Sequence, residues 1–170
     1  MTFGFYENFP LHIHRVENFA SSFSNTQLQQ KVIQIFYEIN QKEFSFEEVA
    51  NPTIPGCKVI FEFGLADAEG FDYIDEEEAS KALNLIINEH FHIIDFFCGI
   101  RYYKGDTEKK TPLKFDYYLL RTTYNRNNFE IQVHHERGPR YISPEDLTLF
   151  IFNKINEVSN RKVLRKKTNL

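Results

Sequence analysis

The chain has 170 residues, 42% of them apolar and 26% charged, with a net charge of −4; this is the composition of one ordinary globular domain and argues against a disordered or fibrous chain. No apolar run approaches the roughly 20 residues of a bilayer-crossing helix, and the N-terminus lacks the basic and apolar regions of an export signal, so a cytoplasmic protein with no membrane partner is expected. Eighteen Phe and nine Tyr, with one Met and no Trp, predict a core of rigid rings.

In chain order, a weak strand is expected near residues 11–16. A helix follows, opened by the capping-box pattern of Ser24 and Gln27, with Leu28, Val32, Ile35, Phe36 and Ile39 on one face. A second weak strand near 43–49 turns through 51–56 into Cys57, Val59, Phe61 and Phe63, which alternate with polar neighbours as a half-buried strand does. Asp75 caps the next helix, with Ala79, Ala82, Leu83 and Ile86 as its apolar stripe; the acids from Asp67 to Glu78 read as a loop feeding its N-terminus. Apolar stretches at 91–104 and 113–124 predict central strands linked by a polar loop. Asn125 to Asn128 should turn the next hairpin, placing Tyr124 opposite Phe129, Thr123 opposite Glu130 and Asp116 opposite about Arg137. Ser143 and Pro144 open the last helix, which carries Leu147, Phe150, Ile151, Ile155 and Val158 at helical spacing.

The expected fold is α+β, in the order β-α-β-β-α-β-β-β-α, with a mixed or antiparallel sheet and helices on one face. Its first six elements have the order of a ferredoxin-like βαββαβ unit, extended by a hairpin and a closing helix. Ile94, Phe96, Ile100, Leu120, Ile131 and Val133 should face the helices. Residues 1–159 read as one domain and 160–170 as a basic, flexible tail carrying Arg161, Lys162, Arg165, Lys166 and Lys167. Cys57 and Cys98 lie in strand-like stretches and read as reduced, buried thiols.

The chemistry-bearing residues leave two functional classes. Alternation collects Arg101, Tyr103, Tyr117, Arg121, Gln132 and His134 on the sheet face opposite the helices. Rings beside guanidinium groups and amides suit single-stranded nucleic acid, or a protein or self-assembly interface. The second class is a metal-dependent hydrolase, since His12 and His14, two apart on a strand, share a face and can reach one metal ion. The other pairs are His90 with His92 and His134 with His135; the last two should point to opposite faces. Asp116 followed by Glu130 and Gln132 does not make a nuclease core, because the register separates the acids by seven residues and puts them on opposite faces. No phosphate loop, nucleophile elbow or Cys-x-x-Cys pair occurs, and no motif asks for a cofactor. The expected function is a non-catalytic binding or assembly module, with the hydrolase as the alternative.

Overall fold

A computed structural model describes residues 3–51, 54–67, 70–104, 111–159 and 162–167, with only the backbone of 111–113. The alternating segments build an eight-stranded sheet whose described pairings are all antiparallel. The strands are β1 (Arg15–Ser21), β2 (Glu43–Ser45), β3 (Cys57–Asp67), β4 (Gly70–Tyr73), β5 (Ile93–Lys104), β6 (Thr111–Asn125), β7 (Asn128–Arg137) and β8 (Leu164–Lys166). They lie in the order β2-β3-β5-β6-β7-β1-β8, with β4 paired to β3. The helices are α1 (Asn25–Asn40), α2 (Glu76–Asn88) and α3 (Pro144–Val158).

Each helix begins where its cap predicts. Ser24 Oγ accepts from Gln27 N at 3.1 Å while Gln27 Oε1 accepts from Ser24 N at 3.1 Å, and Asp75 and Ser143 accept from Glu78 N and Asp146 N. The apolar stripes of α1 and α3 then meet the inner face of the sheet through rings. Phe36 stacks on Phe63 at 3.9 Å and 2°, and Phe150 on Phe61 at 5.1 Å and 7°. Phe152 lies on Phe19 at 4.9 Å, and α2 packs beside α1. Ile94, Phe96, Ile100, Leu120, Ile131 and Val133 are all fully buried, and both thiols are buried and free.

The structure departs from the expected order in four places. β1 starts at Arg15, where 11–16 were expected, and among the described residues it pairs only with β7 and β8. The βαββαβ run therefore does not close on itself, because its first strand finds no partner among the other three. Phe19 of β1 instead packs on Phe129 of β7 and Phe152 of α3. The acidic stretch after Asp67 is partly a strand, β4, which extends β3 into a hairpin. Residues 46–48 form a 3-10 turn where strand was expected.

The basic C-terminal segment is the fourth departure. Expected to hang free, it returns to the body: Val163 and Leu164 are buried, Leu164 exchanges two hydrogen bonds with the Asn156 side chain, and β8 borders β1. Two apolar residues amid the cations suffice to dock it. Arg161 lies outside the described residues, as do the 105–110 part of the polar loop and Pro52 and Thr53 of the first turn.

The β6–β7 hairpin has the expected register, with Tyr124 opposite Phe129 and Thr123 opposite Glu130. Asn127 takes the left-handed conformation at φ 60° that the turn requires. Further along, a bulge between Tyr117 and Tyr118 shifts the ladder by one, so Tyr117, not Asp116, faces Arg137.

Candidate functional site

Among the described residues no helix covers the outer face of the sheet, and the N-terminal segment crosses part of it. Gly4 N donates to Ala66 O at 2.9 Å, Asp95 N to Gly4 O at 2.6 Å, and Tyr6 N to Asp95 Oδ2 at 2.9 Å. These bonds tie residues 3–14 down as a strap. Asp95 is fully buried and accepts both ends of a fork from Arg121, Nε to Oδ1 at 2.8 Å and Nη2 to Oδ2 at 2.9 Å. Phe5 and Phe9 of the strap lie over the same guanidinium, 5.1 and 4.4 Å from its carbon to the ring centroids. Such a geometry satisfies a buried carboxylate.

The predicted face residues thus separate into two groups. Arg121 spends its charge on Asp95 beneath the strap. Gln132 donates to Glu130 at 2.7 Å, and His134 sits at the end of β7, with Nδ1 2.6 Å from His12 O and Nε2 3.0 Å from Glu136. Arg101, Tyr103 and Tyr117 remain together outside the strap. Arg101 pairs with Glu62 and donates to Tyr103 Oη at 3.4 Å. Tyr117 lies between Phe97, at 5.5 Å, and Phe115, at 6.4 Å and 13°. Gly99 makes room for this row: a Cβ there would stand 3.1 Å from Phe97 Cε1. Phe115 is 42% exposed, and Phe97, Tyr117, Arg101, Tyr103 and Lys58 are partly exposed. Sequence reasoning missed Phe115 and Lys58, although the same alternation places both on this face.

The tail cations lie across the sheet. Arg165 pairs with Ala20, and Lys166 pairs with Phe19 and reaches over Phe152 at 5.9 Å. Lys162 and Lys167 are exposed beside them. β7 and β1 separate β8 from β6, about 14 Å across the sheet at the usual strand spacing, and the register sets Arg165 level with Asn125, roughly 26 Å along β6 from Tyr117.

Four histidines converge where the strap joins β1. The His14 ring centroid is 4.6 Å from His12, 5.0 Å from His134 and 6.4 Å from His135. His92 stays apart, with Nδ1 3.4 Å from Tyr124 O. The convergence does not make a ligand set, because nitrogens of three of the four rings are already committed. His14 Nδ1 accepts from His135 N at 3.0 Å, so the neutral ring keeps its proton on Nε2. His134 has an acceptor at each nitrogen, and His135 Nε2 donates to Asp116 Oδ1 at 2.8 Å. Among the described residues no three His, Cys, Asp or Glu side chains are placed to hold one metal ion.

Asp116 lies on the inner face, opposite to Glu130, and is fully buried. Besides His135 it accepts from Tyr102 Oη at 2.6 Å, Arg140 N at 2.7 Å and Tyr141 N at 2.9 Å. Gly138 lets the loop after β7 approach so closely: at φ 114°, its Cβ would fall 2.2 Å from Phe115 O. The carboxylate is a fastener for that loop and has no free lone pair aimed at solvent. A further cleft of about 320 Å³ runs between β3, β4 and α2, over Leu65, Ala66, Ala82 and Leu85. Lys81 on its rim is held by Glu77 and Glu78 at 3.6 and 3.5 Å.

These features define an α+β protein with an antiparallel sheet, helices against one face and a ring-lined region on the other. No protein-family model matches the chain, and neither a curated protein nor a solved structure does so at a significant level. Among the described residues no helix is long and apolar enough to cross a membrane.

Proposed function

We propose that the protein is a non-catalytic binding module that takes single-stranded nucleic acid on the open part of its outer sheet face. The observation that supports this reading is the row Phe97, Tyr117 and Phe115, beside Arg101, Tyr103 and Lys58, on the part of the outer face that, among the described residues, neither helix nor strap covers. Partly exposed rings offer stacking surfaces to any base, and Lys58, with Arg101 exchanging its partner Glu62 for phosphate, supplies the positive charge. Arg165, between the inward Leu164 and Lys166, is the cation of β8 on the outer side, and an oligonucleotide spanning roughly 30 Å reaches it from the row. A binding role also fits the way the buried acids and histidines are used, each to hold a loop or the strap.

Titration of labelled single-stranded oligonucleotides tests it. Tyr117→Ala should weaken binding by about 1–3 kcal/mol through lost stacking. Arg165→Ala with Lys167→Ala should instead flatten the salt dependence and leave base preference unchanged. These two replacements are preferable to truncation, which would also remove the buried Leu164. No binding by the parent protein at low salt defeats the proposal. A dimer that covers Tyr117 would reassign the row to self-assembly.

A further inference from the structure

The strap is fastened at two ends by different chemistry. Near Tyr6 the fastening is the Asp95–Arg121 pair, and at His14 it is a set of bonds to β7. There His14 N donates to Val133 O at 2.8 Å, His14 Nδ1 accepts from His135 N, and His12 O lies 2.6 Å from His134 Nδ1. We infer that this second fastening is an acid-sensitive latch, closed while His14 is neutral and opened when it gains a proton, so that the strap is released from the outer face as pH falls.

The inference rests on where a proton would go. His134 faces the carboxylate of Glu136, and His135 faces that of Asp116, so each has an anionic partner from its own neighbourhood. His14 has none. From β7 it meets His134, His135 and the His135 N–H, from the loop after β7 it meets Arg140, and from the strap it meets His12. A proton on Nδ1 removes the acceptor that the His135 N–H requires and sets two donors against each other. Loss of water, then Arg140, His12, His134 and His135, lower the His14 pKa from its ordinary 6.5. A histidine lowered on folding supplies its stability above the pKa of the free ring, and that stability is lost as pH falls through the folded value. The latch is therefore closed at neutral pH and weakens below it. The device stands whatever the ring row binds, since it concerns only what covers the other part of the face.

Nitrogen-15 labelled protein tests it by amide exchange, expressed as protection factors so that intrinsic exchange divides out. Between about pH 7.5 and about pH 5 the amides of Tyr6, His14 and His135 should lose protection about tenfold or more, while those of Phe96 and Leu120 hold. His14→Asn places a non-titrating carbonyl oxygen near the position of Nδ1 and should keep the strap protected at the lower pH. Strap protection that stays flat in the parent, or falls equally in the variant, overturns the inference. The ring nitrogens of His14 in the parent give a reading independent of how the variant folds. An unprotonated Nδ1 at neutral pH, with a midpoint below 6.5, is expected, and a proton on Nδ1, or a higher midpoint, overturns the latch.

Discussion

Two carboxylates, Asp95 and Asp116, are fully buried on opposite faces of the same sheet, and they are satisfied in contrasting ways. Asp95 meets a cation, the Arg121 fork, plus one strap N–H. Asp116 meets no arginine or lysine side chain among its four hydrogen-bond partners, only a tyrosine hydroxyl, two backbone N–H groups and an imidazole. Both acids hold an irregular segment that has no ladder of its own, the strap in one case and the loop 138–142 in the other. Burying an acid is costly unless it is paired, and here the pairing is what anchors chain that neither helix nor strand would hold.

The comparison breaks most visibly at Asp116. Asp116→Ala strands Tyr102 Oη, two N–H groups and His135 in a dry site, and should cost about 3–5 kcal/mol in urea unfolding. At the other acid, Arg121→Met leaves Asp95 without its counter-ion. Because Arg121 keeps 20% of its side chain exposed, the loss should be smaller, about 3 kcal/mol, and adding Asp95→Asn should recover part of it. If the double variant is as unstable as the single one, the pair does more than neutralise charge.

The docking of the C-terminal segment sharpens the same contrast between ordered and free chain. Leu164→Ala should cost about 2–3 kcal/mol by the loss of a fully buried side chain, whereas Lys167→Ala should stay within about 0.5 kcal/mol. Equal, negligible losses would mean that β8 does not dock in solution.

The smallest effect at neutral pH comes from the tyrosines on the inner face. Burial, with further causes at each site, pushes the hydroxyls of Tyr102, Tyr118 and Tyr124 well above the ordinary value of 10. Being raised on folding, they add stability below the pKa of the free phenol, and this stability is lost as pH rises above about 10. An absorbance titration should therefore show these three of the nine tyrosines ionising only as the chain unfolds. Reversible titration of all nine in the folded state would contradict the dry inner face.

What could be read in the sequence was local. Ser24, Asp75 and Ser143 marked helix starts because a cap bonds to a residue three positions on. The alternation of Phe129, Ile131 and Val133, and the turn at Asn127, set the β6–β7 register, because side chains in a strand repeat every second residue. Alternation also sets Asp95 on the face of Arg121, and opposite charges on a shared face are a usable sign that Arg121 is engaged. The strap was not legible, because its bonds use backbone groups that every residue carries and join positions 89 and 121 residues apart.

The sequence by itself determined the α+β class, the three helices, the inner face and the presence of a ring-rich outer face, since each follows from spacing within about a dozen residues. Only the tertiary structure decided that β1 pairs with β7 and not within the first six elements, and that Val163 and Leu164 bring the basic segment home. It also decided that Arg121 is spent while Tyr117 is not, and that histidines at both ends of the chain meet. These outcomes depend on which distant surfaces fit one another, and packing at crystal-like density is a property of the whole chain that no local pattern encodes.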